Sequence, residues 1–108
     1  MRVSLLSLDE GHSVWELPVR ELPIRIGRDP DVEFRLDDDS VSDFHCLLDE
    51  INGVLWVRDL GSEEGTFVNG FHVAQSCLMP GDRLTVGTRA FEVLYQWKHA
   101  PLGDMMFA

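Results

Sequence analysis

Apolar and polar residues alternate with a period of two in short stretches along most of the chain, and Gly, Pro, Asp or Asn bounds each stretch. That is the pattern of half-buried strands. The predicted strands are Val3 to Leu8, Val14 to Val19, Ile24 to Gly27, Glu33 to Leu36, His45 to Ile51, Val54 to Asp59, Thr66 to Val68, Arg83 to Val86 and Arg89 to Gln96. Asn52-Gly53 is a type I′ hairpin signal that pairs 45–51 with 54–59 in antiparallel fashion, and Asn69-Gly70 is a second such turn. Pro80-Gly81-Asp82 reads as a turn in which Pro fixes φ and Gly takes a conformation denied to other residues, with Asp82 and Arg83 stabilising it. No apolar pattern of helical period persists between breakers, so negligible helix is expected and the chain reads as an all-β sandwich or barrel. The alternation stops after Gln96. Residues 1–96 are therefore expected to form one β-sandwich domain, and 97–108 a C-terminal tail or the start of a linker.

At 108 residues the chain is long enough for one hydrophobic core and too short for two. No apolar run approaches the ~18 residues of a membrane span, and no signal-peptide pattern opens the chain. A cytoplasmic location without membrane contact is the expectation. Cys46 and Cys77 have no CxxC or CxxH companion, so they read as small buried or half-buried thiols, neither metal ligands nor a disulfide framework. Nine basic against 19 acidic residues give a formal charge of −10, which opposes nucleic acid and anionic lipid as partners and also counts against a phosphorylated one.

Three segments carry more specific information: Ile26-Gly27-Arg28 at a strand end, Ser42-Asp43-Phe44-His45 leading into a strand, and the run from Asp59 through Gly65-Thr66 to Asn69-Gly70. In this order and spacing, and continued through Leu78 to Gly87 and the closing strand, they resemble the forkhead-associated (FHA) family over roughly Ile24 to Tyr95. The resemblance implies an FHA-like (SMAD/FHA-type) eleven-stranded antiparallel β-sandwich whose loops at one end grip a phosphothreonine peptide. A phosphate ester carries nearly two negative charges and three strong acceptor oxygens, which a planar guanidinium engages through parallel charge-assisted bonds. Arg28 stands at the family's position for that group, and Ser42 at the position of a hydroxyl that adds a short hydrogen bond. Gly27 permits close backbone approach or is simply a turn glycine. The resemblance makes His45 a structural residue whose ring bonds the site loop, in preference to the base of a Ser-His pair. Asn69 reads as a loop-bracing residue in its own turn.

The chain departs from the family pattern at three recognition positions. Asp43 replaces the usual Arg or Asn after the serine, Glu63 a polar residue, and Glu64 the Asn that commonly bonds the peptide backbone. Two unit charges about 5 Å apart interact by about 3 kcal/mol at an effective dielectric of about 20, and by under about 1 kcal/mol in water-like surroundings. Summed over three acids, even the lower figure approaches the roughly 1.5 to 3 kcal/mol of a charge-assisted bond from Arg28. Asp29, Asp31 and Asp37-Asp38-Asp39 add to the acidity, the last as a solvated face. These acids lack EF-hand spacing, so no metal is expected.

Two readings follow. One is a phosphothreonine-dependent protein-interaction module for signalling or assembly, with Arg28 and Ser42 holding the phosphate and an acidic rim of Asp43, Glu63 and Glu64 selecting basic flanking residues. The other is a degenerate FHA domain that binds an unphosphorylated, basic protein surface or serves as a scaffold. An enzyme is disfavoured: the chain has no P-loop, GxGxxG, HExxH or Gly-x-Ser-x-Gly elbow, and no cofactor is implied. The expected state is a monomer or a weak self-associate through sheet edges or the apolar Met105, Met106 and Phe107.

Overall fold

Strand-forming alternation becomes two packed sheets in the computed structural model, which describes residues 1–9, the backbone of 14–17, and 22–96. The expected tail over 97–108 lies outside the described residues, as do positions 18 and 19 of the second predicted strand. The strands are β1 Val3–Ser7, β2 Val14–Leu17, β3 Ile24–Gly27, β4 Phe34–Arg35, β5 Cys46–Ile51, β6 Val54–Asp59, β7 Thr66–Val68, β8 Phe71–His72, β9 Gln75–Leu78, β10 Arg83–Val86 and β11 Arg89–Tyr95. They form a six-stranded sheet, β2-β1-β11-β10-β7-β8, and a five-stranded sheet, β4-β3-β5-β6-β9. No helix occurs among the described residues.

Two strands escape the alternation rule. β9 is a polar edge strand, Gln75-Ser76-Cys77-Leu78, of which only Leu78 is buried. β8 is two exposed residues held to β7 by the Asn69-Gly70 turn. The architecture is the expected eleven-stranded antiparallel sandwich with one short exception, β3 and β4, which pair in parallel over Ile26↔Phe34 and Gly27↔Arg35. The short link between them closes on itself: Val32 N–H donates to the Asp29 carbonyl, and the Glu33 carboxylate accepts from both the backbone N–H and the guanidinium of Arg25.

Side chains on the inner faces make the core. Val3 and Leu5, Ile24 and Ile26, Leu48, Leu55 and Val57, Leu84 and Val86, and Phe91 and Val93 alternate inward and are essentially inaccessible to water, which is the period-two rule in its buried form. Phe34 and Phe91 meet edge to face across the sandwich with centroids 5.8 Å apart. Tyr95, on β11, ties the sheets by polar bonds as well: its hydroxyl donates to the Leu78 carbonyl and accepts from Leu55 N–H.

The hairpins confirm the turn chemistry. Asn52 and Gly53 have φ of 53° and 82°, and Asn69 and Gly70 have 51° and 85°, the two positive values that a type I′ turn needs. Gly81 has φ of 93° between Pro80 and Asp82, whose N–H closes the turn onto the Met79 carbonyl at 3.0 Å. Because Val86 pairs with Thr66 and Leu84 with Val68, the 60–65 loop and the Gly87-Thr88 turn share one end of the six-stranded sheet, while the turns at 69–70 and 79–82 share the other.

Candidate functional site

At the first of those ends, β3 delivers Gly27 and Arg28 against the segment that leads into β5. Arg28 N–H donates to the Ser42 carbonyl at 3.0 Å, Asp29 N–H to the Asp43 carbonyl at 3.1 Å, and His45 N–H to the Ile26 carbonyl at 2.9 Å. These bonds draw the two backbones so close that a Cβ on Gly27 would lie 2.0 Å from the Asp43 carbonyl oxygen. Gly27 is thus required by close approach within a strand, and not by a turn.

His45 is fully buried and joins the loops behind the site. Its Nδ1 accepts from Ser42 N–H at 3.1 Å and its Nε2 lies 2.8 Å from the Gly65 carbonyl. An amide can only donate and a carbonyl only accept, so both contacts are met by the neutral Nε2–H tautomer. A histidine with both ring nitrogens committed to backbone is a brace. Ser42 Oγ accepts from Glu63 N–H at 3.0 Å, which leaves the hydroxyl hydrogen to be donated to a ligand.

The 59–66 loop is organised by a residue that sequence reasoning gave no role. The Asp59 carboxylate accepts from Gly61 N–H at 3.0 Å, Ser62 N–H at 3.1 Å, the Thr66 hydroxyl at 2.8 Å and the Ser62 hydroxyl. Partial burial opposes its ionisation, but the bonds from Ser62, Thr66 and Gly61 outweigh that and hold the carboxyl below its ordinary value. The signal was an Asp followed at short range by Gly and Ser, an Asx-turn pattern.

The exposed face of the site is a charge cluster. The Arg28 guanidinium is 42% exposed, with Nη2 3.0 Å from Asp39 Oδ1 and Nε 3.8 Å from Asp37 Oδ1. Asp37 also lies 3.7 Å from Arg35 Nη2, and Arg35 Nε donates to the Arg28 carbonyl at 2.8 Å. The acids that meet Arg28 therefore come from the Asp37-Asp38-Asp39 run, which the sequence presented as a solvated face. Asp43, Glu63 and Glu64 are exposed at the same end, and among the described residues none of them pairs with a cation. Beside them Arg25 stacks over the half-exposed Phe44 ring, 5.8 Å from its centroid.

Asn69 is the predicted residue that the fold sets apart. It stands at the opposite end of β7, where its side chain accepts from Arg83 N–H at 2.9 Å and donates to Asp82 Oδ1 at 3.0 Å, bracing one turn on another. Among the described residues no group of three or more His, Cys, Asp or Glu is arranged to hold a metal ion.

Comparison with known proteins agrees with this geometry. The sequence model of the FHA domain family matches residues 24–87. An FHA domain solved in a structural and functional study of phosphothreonine-dependent FHA domain interactions is 31% identical, with a TM-score of 0.79 over 89% of this chain and 98% of its own. The FhaA FHA domain, solved in complex with the intracellular domain of Rv3910, is 33% identical, with a TM-score of 0.75 over 84% of this chain and 98% of its own. The FHA domain of the CT664 protein from Chlamydia trachomatis is 25% identical, with a TM-score of 0.78 over 89% of this chain and 99% of its own. No curated protein sequence gives a significant match. With the family pattern over most of its length and the sandwich that goes with it, the chain belongs to the FHA domain family.

Proposed function

We propose that this domain binds a phosphothreonine-containing segment of a partner protein, in signalling or assembly, and catalyses no reaction. One observation carries the reading: the 3.0 Å bond from Arg28 N–H to the Ser42 carbonyl sets a guanidinium already facing anions and a serine hydroxyl on adjacent backbones at one sheet end. The guanidinium supplies parallel charge-assisted bonds to the phosphate, and the Ser42 hydroxyl a further short one. Asp43, Glu63 and Glu64 form a rim that favours basic residues flanking the phosphothreonine. A relative at 31% identity with phosphothreonine-dependent interactions supports the assignment. The test is retention of a phosphothreonine peptide library on the domain and on Arg28→Ala. Phosphorylated peptides are retained preferentially by the unaltered domain alone; equal retention of phosphorylated and unphosphorylated peptides refutes the reading.

The occupied guanidinium favours a second reading. With Arg28 already facing Asp37 and Asp39 and the rim acids unpaired, a basic, unphosphorylated surface would meet no competing cation. Capture from untreated and phosphatase-treated lysate separates the two, because a partner lost on treatment contradicts this alternative.

A further inference from the structure

The three consecutive aspartates between β4 and β5 do different work. Asp38 turns back into its own loop, where its carboxylate accepts from Ser40 N–H at 2.9 Å and the Ser40 hydroxyl at 2.7 Å, and its carbonyl accepts from Val41 N–H at 3.0 Å. Ser40 is fastened to the opposite sheet: its Oγ accepts from Thr88 N–H at 2.9 Å and meets the Thr88 hydroxyl at 2.9 Å. Gly87, with φ of 63°, packs so closely that a Cβ there would lie 2.4 Å from the Ser40 carbonyl oxygen. The middle of the loop is thereby fixed, and the carboxylates on either side of Asp38 are thrown onto Arg28. Asp39 is 96% exposed and is held at 3.0 Å from the guanidinium.

We propose that Asp39 is a built-in competitor for Arg28, which a phosphate displaces, and that the released carboxylate then receives a basic side chain beside the phosphothreonine. The inference rests on the phosphothreonine reading and gives Asp39, apart from the rim acids, the selection of a Lys or Arg adjacent to the phosphothreonine. An exposed ion pair contributes at most about fivefold to an equilibrium, whereas a bidentate guanidinium-phosphate pair is stronger and better ordered. Phosphate therefore wins the exchange. When the neighbouring peptide residue is neutral, the exchange leaves Asp39 unpaired next to a dianion. When that residue is basic, one ion pair replaces another, and the peptide is favoured.

The experiment compares wild type, Asp39→Asn and the charge control Asp31→Asn, an exposed acid on the neighbouring loop that makes no pair with Arg28. Each is titrated with two phosphothreonine peptides, one with Arg beside the phosphothreonine and one with Ala there, and with their unphosphorylated forms; thermal midpoints verify folding. Asp39→Asn is expected to tighten the Ala peptide about threefold to fivefold and the Arg peptide less than about twofold, so the preference for a basic neighbour shrinks. Asp31→Asn is expected to move both peptides by the same factor. Equal tightening of both peptides by Asp39→Asn, or none, overturns the inference while leaving phosphothreonine binding intact. Failure of every variant to prefer either phosphorylated peptide over its unphosphorylated form overturns the phosphothreonine reading, and this inference with it.

Discussion

The imidazole of His45 reaches the carbonyl of Gly65 at 2.8 Å, bridging segments 20 positions apart in sequence. Through its other nitrogen the same ring holds Ser42 N–H, so one buried side chain fixes both loops that frame the Arg28 end of the sandwich. His45→Ala leaves a half-buried amide and a buried carbonyl without their partner, at about 1 to 3 kcal/mol each before any relief by water. The expected loss is about 2 to 4 kcal/mol, seen as a lower urea midpoint together with weakened peptide binding.

Gly27→Ala puts a methyl where the Asp43 carbonyl oxygen already stands, 2.0 Å away. Backbone cannot rotate aside as a side chain can, so the 42–45 segment must shift. A destabilisation of about 1 to 3 kcal/mol is expected from overpacking of this kind, with displaced amide resonances for Ser42 and Asp43 in a heteronuclear NMR spectrum.

Acid acts on two carboxyls in the same direction. Asp59 is held below its ordinary value by the bonds from Ser62 and Thr66, which outweigh desolvation, and Glu33 is lowered to about 2, chiefly by its hydrogen bonds from Arg25. Both native values lie below those of the unfolded chain, so their contribution is complete above about pH 5 and is lost as pH falls through the unfolded and then the native values. Carboxyl carbon shifts should show Glu33 titrating near 2 in the intact domain and higher in Arg25→Ala, which removes the guanidinium bonds and keeps the backbone N–H bond. Asp59→Asn should flatten the acid limb of stability.

The thiols should differ in reactivity. Burial, with Asp59 nearby, pushes the Cys46 thiol well above the ordinary thiol range, while Cys77 is half-buried on the edge strand β9. A thiol reagent at neutral pH is expected to modify Cys77 in the native domain and Cys46 only after unfolding.

Sequence patterning located the sheets because alternation and turn residues are local. Asn52-Gly53 and Asn69-Gly70 each produced the I′ hairpin that their residue types demand. β9 went undetected because an edge strand with one buried residue has no alternation to read, and the parallel β3–β4 pair depends on a clasp between Arg25 and Glu33. Arg28, Ser42, Asp43, Glu63 and Glu64 do share one end of the sandwich. The partners of Arg28 were not legible, because Asp37 and Asp39 reach it only through a loop that Ser40 fastens to Thr88, 48 positions away. Nothing local distinguishes those two aspartates from Asp38, which faces the other way.

Arg28 is the proposed phosphate anchor of this domain. The direct measurement is calorimetric titration of one phosphothreonine peptide and its unphosphorylated twin into wild type, Arg28→Ala and Arg28→Lys. Loss of bonds worth about 1.5 to 3 kcal/mol predicts roughly tenfold to hundredfold weaker binding of the phosphopeptide by Arg28→Ala. Arg28→Lys should recover only part of it, because an ammonium cannot form the bidentate fork. The unphosphorylated peptide should bind all three equally weakly. Phosphopeptide affinity unchanged in Arg28→Ala would mean that Arg28 does not anchor the phosphate.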